Sequence, residues 1–178
     1  PLAFSVQGRV QKARRVVCGE MHVKNGNGTI LLTGFPRQLT RLTIQKLGPT
    51  GRRLAVLTAE DFEEDARAAL QEFNGKVLIG SPAQLDLGLS GDEVKELQKE
   101  VDEIHHQVDA FHSKPSRMRQ SLVGGTRSLL EFALDLPRLK RFVHYSSIFS
   151  TGWNKGLVVA NARNPSIRRW HNAYERVR

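Results

Sequence analysis

From Thr29 onward the chain alternates short apolar runs with amphipathic segments, and this alternation constrains the fold more than any other feature. TILLT, RLAVLT, KVLIGS, the stretch Val101–His105 and RFVHYSS are each of strand length and rich in aliphatic or β-branched residues. Segments with helical spacing lie between them, near Pro36–Lys46, Glu60–Phe73, Ser90–Glu100 and Ser116–Leu134, and another begins near Pro165. Strands joined through helices over short connections predict an α/β fold whose mainly parallel, doubly wound sheet is covered on both faces. Residues 1–28 differ in character: FSVQGRV and RRVVCGEMHV alternate loosely at period two and end in the turn cluster NGNG. They predict one or two strands, a short N-terminal β-rich addition ahead of a main domain over 29–178. The last helical segment runs to Arg178 without a glycine or proline stop, so the domain is expected to be incomplete at its C-terminus.

A chain of 178 residues with 39% hydrophobic content can bury one sizeable core. No apolar run approaches the roughly 20 residues that span a bilayer, and PLAFSVQGRV lacks the basic-then-apolar layout of a signal peptide. A soluble, cytoplasmic protein without membrane contact is expected. Cys18 is the only cysteine, which excludes an intrachain disulfide and a thiolate metal cluster. The 27 Lys and Arg against 18 Asp and Glu give a net charge of +9, concentrated in RVQKARR, PRLKRF and IRRWHNAYERVR. That balance favours an anionic ligand, an acidic protein partner or nucleic acid over a neutral one, although a solvated basic surface gives the same count. Trp153 and Trp170, among Lys155, Arg168, Arg169 and Arg176, suit either an aromatic-basic platform or plain packing anchors. His105, His106, Asp109 and His112 are close in sequence, but neighbours on a strand face opposite ways, so no metal site is expected.

The stretch Thr29–Thr40, TILLTGFPRQLT, has the order of parts by which a first strand feeds a first helix through a phosphate-cradling turn. Three later blocks follow in matching order. VLIGSPAQLDLGLSGDEVKELQKEVDEIHH resembles the region of fatty acyl-CoA reductases and thioester-reductase domains from the third strand, through a GLS helix start, to the fourth. VGGTRSLLEFALDLPRLKRFVHYSSIFSTG resembles the family's next helix and the strand carrying its catalytic Ser or Thr, and HNAYERVR its Tyr-x-x-x-Lys helix. The chain thus resembles the extended short-chain dehydrogenase/reductase family over about 29–178, which implies a Rossmann-like sheet.

The resemblance also implies where function would sit. Thr33 and Gly34 match the start of the family's Thr-Gly-x-x-Gly-x-x-Gly turn, but Arg37 and Thr40 stand at its second and third glycines. The bulk of Arg37 obstructs close approach of a cofactor; the alternative is a guanidinium that clamps phosphate. Thr58 follows where relatives using a phosphorylated cofactor often present Arg, with Glu60 and Asp61 beyond it. Gly80-Ser81 replaces Gly-Asp, His106-Gln107-Val108 replaces Asn-Ala-Ala, and Leu122 replaces the helix-opening Asn. Ser147 matches the family's carbonyl-binding Ser or Thr, Tyr174 its proton donor, and Arg178 the position of its Lys.

With every wall of the cofactor site altered, the expectation is that no cofactor is bound, NAD(P) being the alternative. The function expected is that of a pseudoenzyme, a regulatory or scaffolding binder of an anionic ligand or protein partner. A divergent NAD(P)-dependent reductase of acyl thioesters or aldehydes and a nucleic-acid-binding protein are the alternatives. The long helices that pair across a two-fold axis in many relatives suggest a homodimer.

Overall fold

A computed structural model describes residues 28–108, 114–147, 152, 153, 169, 170, 172, 174 and 176. The strands expected within 1–28, Cys18, and the segment around Arg178 lie outside these. Five strands, β1 (Thr29–Leu32), β2 (Arg53–Thr58), β3 (Gly75–Ile79), β4 (Val101–Gln107) and β5 (Arg141–Tyr145), form one parallel sheet in the order β3-β2-β1-β4-β5. The helices are α1 (Gln38–Leu47), α2 (Glu63–Leu70), α3 (Gly91–Glu100), α4 (Pro115–Arg119) and α5 (Gly125–Leu134). This is the Rossmann-like, doubly wound sheet that the alternation predicts. The strand order reverses between β1 and β4, and such sheets bind ligands outside the C-terminal strand ends at that reversal.

The strands are apolar on both sides because both sides are covered. Ile30, Leu32, Leu54 and Val56 pack on Ile44 and Leu47 of α1 and on Ala66 and Leu70 of α2. Leu31, Ala55, Leu57 and Ile104 pack on Leu97 of α3 and Leu129 of α5. Each fully buried Leu or Ile contributes roughly 1.5–3 kcal/mol, so the two layers together hold the sheet.

Local chemistry sets the boundaries. α3 starts where Ser90 accepts from the Glu93 amide while the Glu93 carboxylate accepts from the Ser90 amide at 2.9 Å, a reciprocal cap. The helix expected over Ser116–Leu134 begins at Pro115, and a π-helical turn at Gln120–Gly124 divides it. β4 is longer than its expected Val101–His105 span. His106 and Gln107 are therefore its last two residues, not the loop beyond it.

At the strand starts, a buried ionic clamp joins the sheet. Arg52, just before β2, reaches across β1 to Asp102 and to Glu103 of β4, the latter at 2.6 Å. Lys140 and Arg141 at the head of β5 pair with the same two acids at 3.1 and 3.3 Å. Gly28 makes the crossing feasible, since a Cβ there would lie within the Asp102 carboxylate.

Candidate functional site

The C-terminal ends of β1 and β4 meet the turn that leads into α1, and here the sequence-predicted residues gather. Gly34 has φ +92°, a conformation that side chains disfavour, and a Cβ would stand 2.2 Å from the Gln107 carbonyl oxygen. The Arg37 amide donates to the Gly34 carbonyl at 3.1 Å and the Thr33 amide to the His105 carbonyl at 3.1 Å, which fixes the turn over the strand ends. Arg37 is exposed at the head of α1.

The first turn of α1 carries no acidic residue, and no side chain caps its amides. α2 opens instead with Glu63, Glu64 and Asp65, and α3 with its reciprocal cap. A helix start left this way presents amide donors and the positive end of its dipole to an anion. Two glycines of the family's turn are replaced, yet among the described residues no side chain caps the first amides of α1.

Thr40 explains how one replacement is accommodated. The third glycine normally permits close packing of helix on strand. Thr40 is fully buried, and its hydroxyl donates to Gln107 Oε1 at 2.8 Å, while Gln107 Nε2 donates to Thr43 Oγ1 at 2.9 Å. Thr43 in turn donates to the Leu39 carbonyl at 2.8 Å. A polar bridge between α1 and β4 takes the place of close packing. Thr40 and Gln107 are therefore complementary changes, a relation that spacing along the chain does not reveal.

His106 completes the floor of the site in one defined protonation pattern. Thr126 donates to the Leu122 carbonyl at 2.6 Å, so its oxygen accepts from His106 Nε2–H at 3.0 Å. His106 Nδ1 then accepts from Thr33 Oγ1 at 2.8 Å, and Thr33 accepts from the Gln107 amide at 3.3 Å. Burial, reinforced by the charge of nearby His144, pushes the imidazole down to about 3 and keeps it neutral.

His105 faces the other side of the sheet. Its Nδ1 shares a 2.8 Å hydrogen bond with the Tyr145 hydroxyl, and its Nε2–H donates to Glu103 at 2.9 Å. Burial alone would raise the Glu103 carboxyl, but hydrogen bonds from His105 and Arg52 and the charges of His105 and Arg141 bring it down to about 2. Burial holds the Tyr145 hydroxyl above its ordinary value, and Glu103 adds to the effect against the Thr43 hydrogen bond. The two histidines thus serve different networks, and among the described residues no group of three His, Cys, Asp or Glu is placed to hold a metal.

Ser147 lies half-buried two residues past β5, on the same strand-end edge as Gly34. Tyr174 is helical and half-buried. Arg178 lies outside the described residues. Among those described, no helix is long and apolar enough to cross a membrane.

Several solved structures share this chain's fold. The terminal R domain from the myxalamid PKS-NRPS biosynthetic pathway has a TM-score of 0.73 at 22% identity, covering 85% of this chain and 43% of its own. The reductase (R) domain of a nonribosomal peptide synthetase from Mycobacterium tuberculosis has a TM-score of 0.57 at 25% identity, covering 71% and 35%. A short-chain dehydrogenase/reductase superfamily protein from Agrobacterium tumefaciens, solved with bound NAD, has a TM-score of 0.57 at 20% identity, covering 84% and 41%. The chain spans less than half the length of each of these three. No curated protein sequence matches it.

An NAD-binding family model described as male sterility protein matches residues 49–176, well over half of the chain. That match overturns the expectation of a chain without cofactor. The error lay in reading the replaced glycines one by one as losses, when Thr40 is matched by Gln107 and no described side chain caps the head of α1. By this match, and in agreement with its sheet order, the chain belongs to the male sterility protein family of NAD-binding domains.

Proposed function

We propose that this chain is the dinucleotide-binding part of a divergent thioester-reductase-like oxidoreductase acting on acyl thioesters or aldehydes. The observation that carries the reading is the uncapped, acid-free start of α1 above the Gly34 turn, at the reversal of strand order. When bound, a reduced nicotinamide supplies hydride to the substrate carbonyl carbon. The α1 amides and the Arg37 guanidinium would hold the diphosphate. Ser147 would hydrogen-bond the substrate carbonyl oxygen, and Tyr174 would donate the proton that oxygen gains in forming an alcohol. Arg178, four residues on in the sequence, would take the role of the family's Lys in supplying positive charge. With a thioester the hydride would add to the same carbon, the carbonyl would re-form as the carbon–sulfur bond breaks to give an aldehyde, and the departing thiolate would take up the proton.

Calorimetric titration of the folded protein with reduced nicotinamide dinucleotides tests the binding part. Micromolar affinity that falls about tenfold or more in Arg37→Ala is the expected result. Absence of heat from folded protein would sink the reading.

A second reading, favoured by Arg37 at the second glycine position, is a domain that binds the dinucleotide but no longer turns over and instead serves a regulatory or scaffolding role. Tight binding with no oxidation of the reduced dinucleotide in the presence of an acyl thioester or an aldehyde would select it.

A further inference from the structure

The loop that leaves β2 borders the same edge as Gly34. Thr58 ends β2 two residues past Val56, which pairs with Leu32, so it stands level with Gly34 in the register. It is only 3% exposed, and its hydroxyl has no hydrogen-bond partner among the described residues. A buried hydroxyl left this way costs about 1–3 kcal/mol, a cost that a ligand hydroxyl would relieve.

Beyond Thr58 the chain reads Ala59, Glu60, Asp61, Phe62, Glu63, Glu64, Asp65, with five carboxylates and no cation. Two basic side chains of the flanking helices are engaged by acids: Arg41 of α1 by Asp65 at 3.0 Å, and Arg67 of α2 by Glu63. Glu60 and Asp61 form no ion pair among the described residues. In sheets of this topology, the end of the second strand and the residues just after it meet the adenosine ribose, where a carboxylate accepts from the 2′-hydroxyl and a cation receives a 2′-phosphate. Arg37, at the head of α1, is assigned in the reading above to the diphosphate, which both cofactor forms share.

Resting on the dinucleotide-binding reading above, we infer that the site prefers the nicotinamide dinucleotide with a free 2′-hydroxyl over the form carrying a 2′-phosphate. Thr58 and the carboxylates of Glu60 and Asp61 are its specificity-determining residues. The hydroxyl and the acids accept or exchange hydrogen bonds with the ribose, whereas a phosphate dianion there would meet like charge and no compensating cation.

The test is calorimetric titration of the whole protein with NADH and with NADPH, alongside thermal unfolding. NADH should bind at least about tenfold more tightly. Thr58→Val should weaken NADH several-fold while leaving NADPH unchanged and the melting temperature equal or higher. That combination separates a ligand contact from a structural one. Glu60→Gln with Asp61→Asn should raise NADPH affinity. NADPH binding as tightly as NADH, or a double variant whose preference does not move, overturns the inference while leaving dinucleotide binding intact. Failure of both dinucleotides to bind folded protein overturns the underlying reading and this inference with it.

Discussion

His106 shows how one buried side chain makes the site sensitive to acid. Its folded value is depressed to about 3 from 6.5, so between those limits the folded protein holds fewer protons than the unfolded chain. Stability must therefore fall as pH drops through this window, at up to about 1.4 kcal/mol per pH unit. Glu103, depressed from 4.5 to about 2, adds a loss of the same sign at lower pH. Between pH 7 and 5 the His106 contribution is about 2 kcal/mol, measurable by urea denaturation at the two values. His106→Gln can still bond Thr33 and Thr126 and should flatten that dependence. An unchanged slope in the variant would show that another group carries it. The sequence put His106 just past the expected strand and did not reveal its partners. Thr33 and Thr126 lie 73 and 20 residues away, and only the fold brings them to the two ring nitrogens.

Among the elements, α1 and the end of β4 behave as a unit. Thr40→Gly alone should destabilise the protein, because it removes a hydroxyl from a buried amide oxygen and adds a flexible residue within a helix. A loss of about 1–3 kcal/mol is expected. Gln107→Ala alone leaves Thr40 and Thr43 without their partner and should cost a similar amount. The double variant should cost less than the sum by at least about 0.5 kcal/mol, because the same bridge is lost only once. Additive costs, read from denaturant titrations of all four proteins, would refute the unit. The elements themselves were legible where periodicity and caps agreed: α3 begins at the Ser90–Glu93 pair, and four strands fall on their apolar runs. β4 was read too short because His and Gln interrupt its apolar pattern, and both are buried by pairing that a local window does not show. The π-helical turn carries no proline, and Gly124 at its end with Gly125 at the start of α5 gives only a weak hint of the place.

At the scale of the molecule, Val123, Leu130 and Leu134 leave an exposed apolar stripe along the helix that α5 ends. The homodimer suggested by the long helices stands as a proposal on that face. Leu130→Glu with Leu134→Glu should convert a dimer to a monomer in sedimentation without lowering the melting temperature by more than a few degrees. A wild-type monomer at tens of micromolar would dismiss it. The sheet as a whole divides its work between two rims. Arg52, Asp102 and Glu103 tie the strands at their starts, and the Gly34 turn, Thr58 and His106 occupy the far ends. Only the second rim meets a ligand in the reading proposed here. Substitutions along the far ends can therefore change what docks there without touching the ion pairs that lace the strand starts, so recognition and cohesion are separable properties of one sheet.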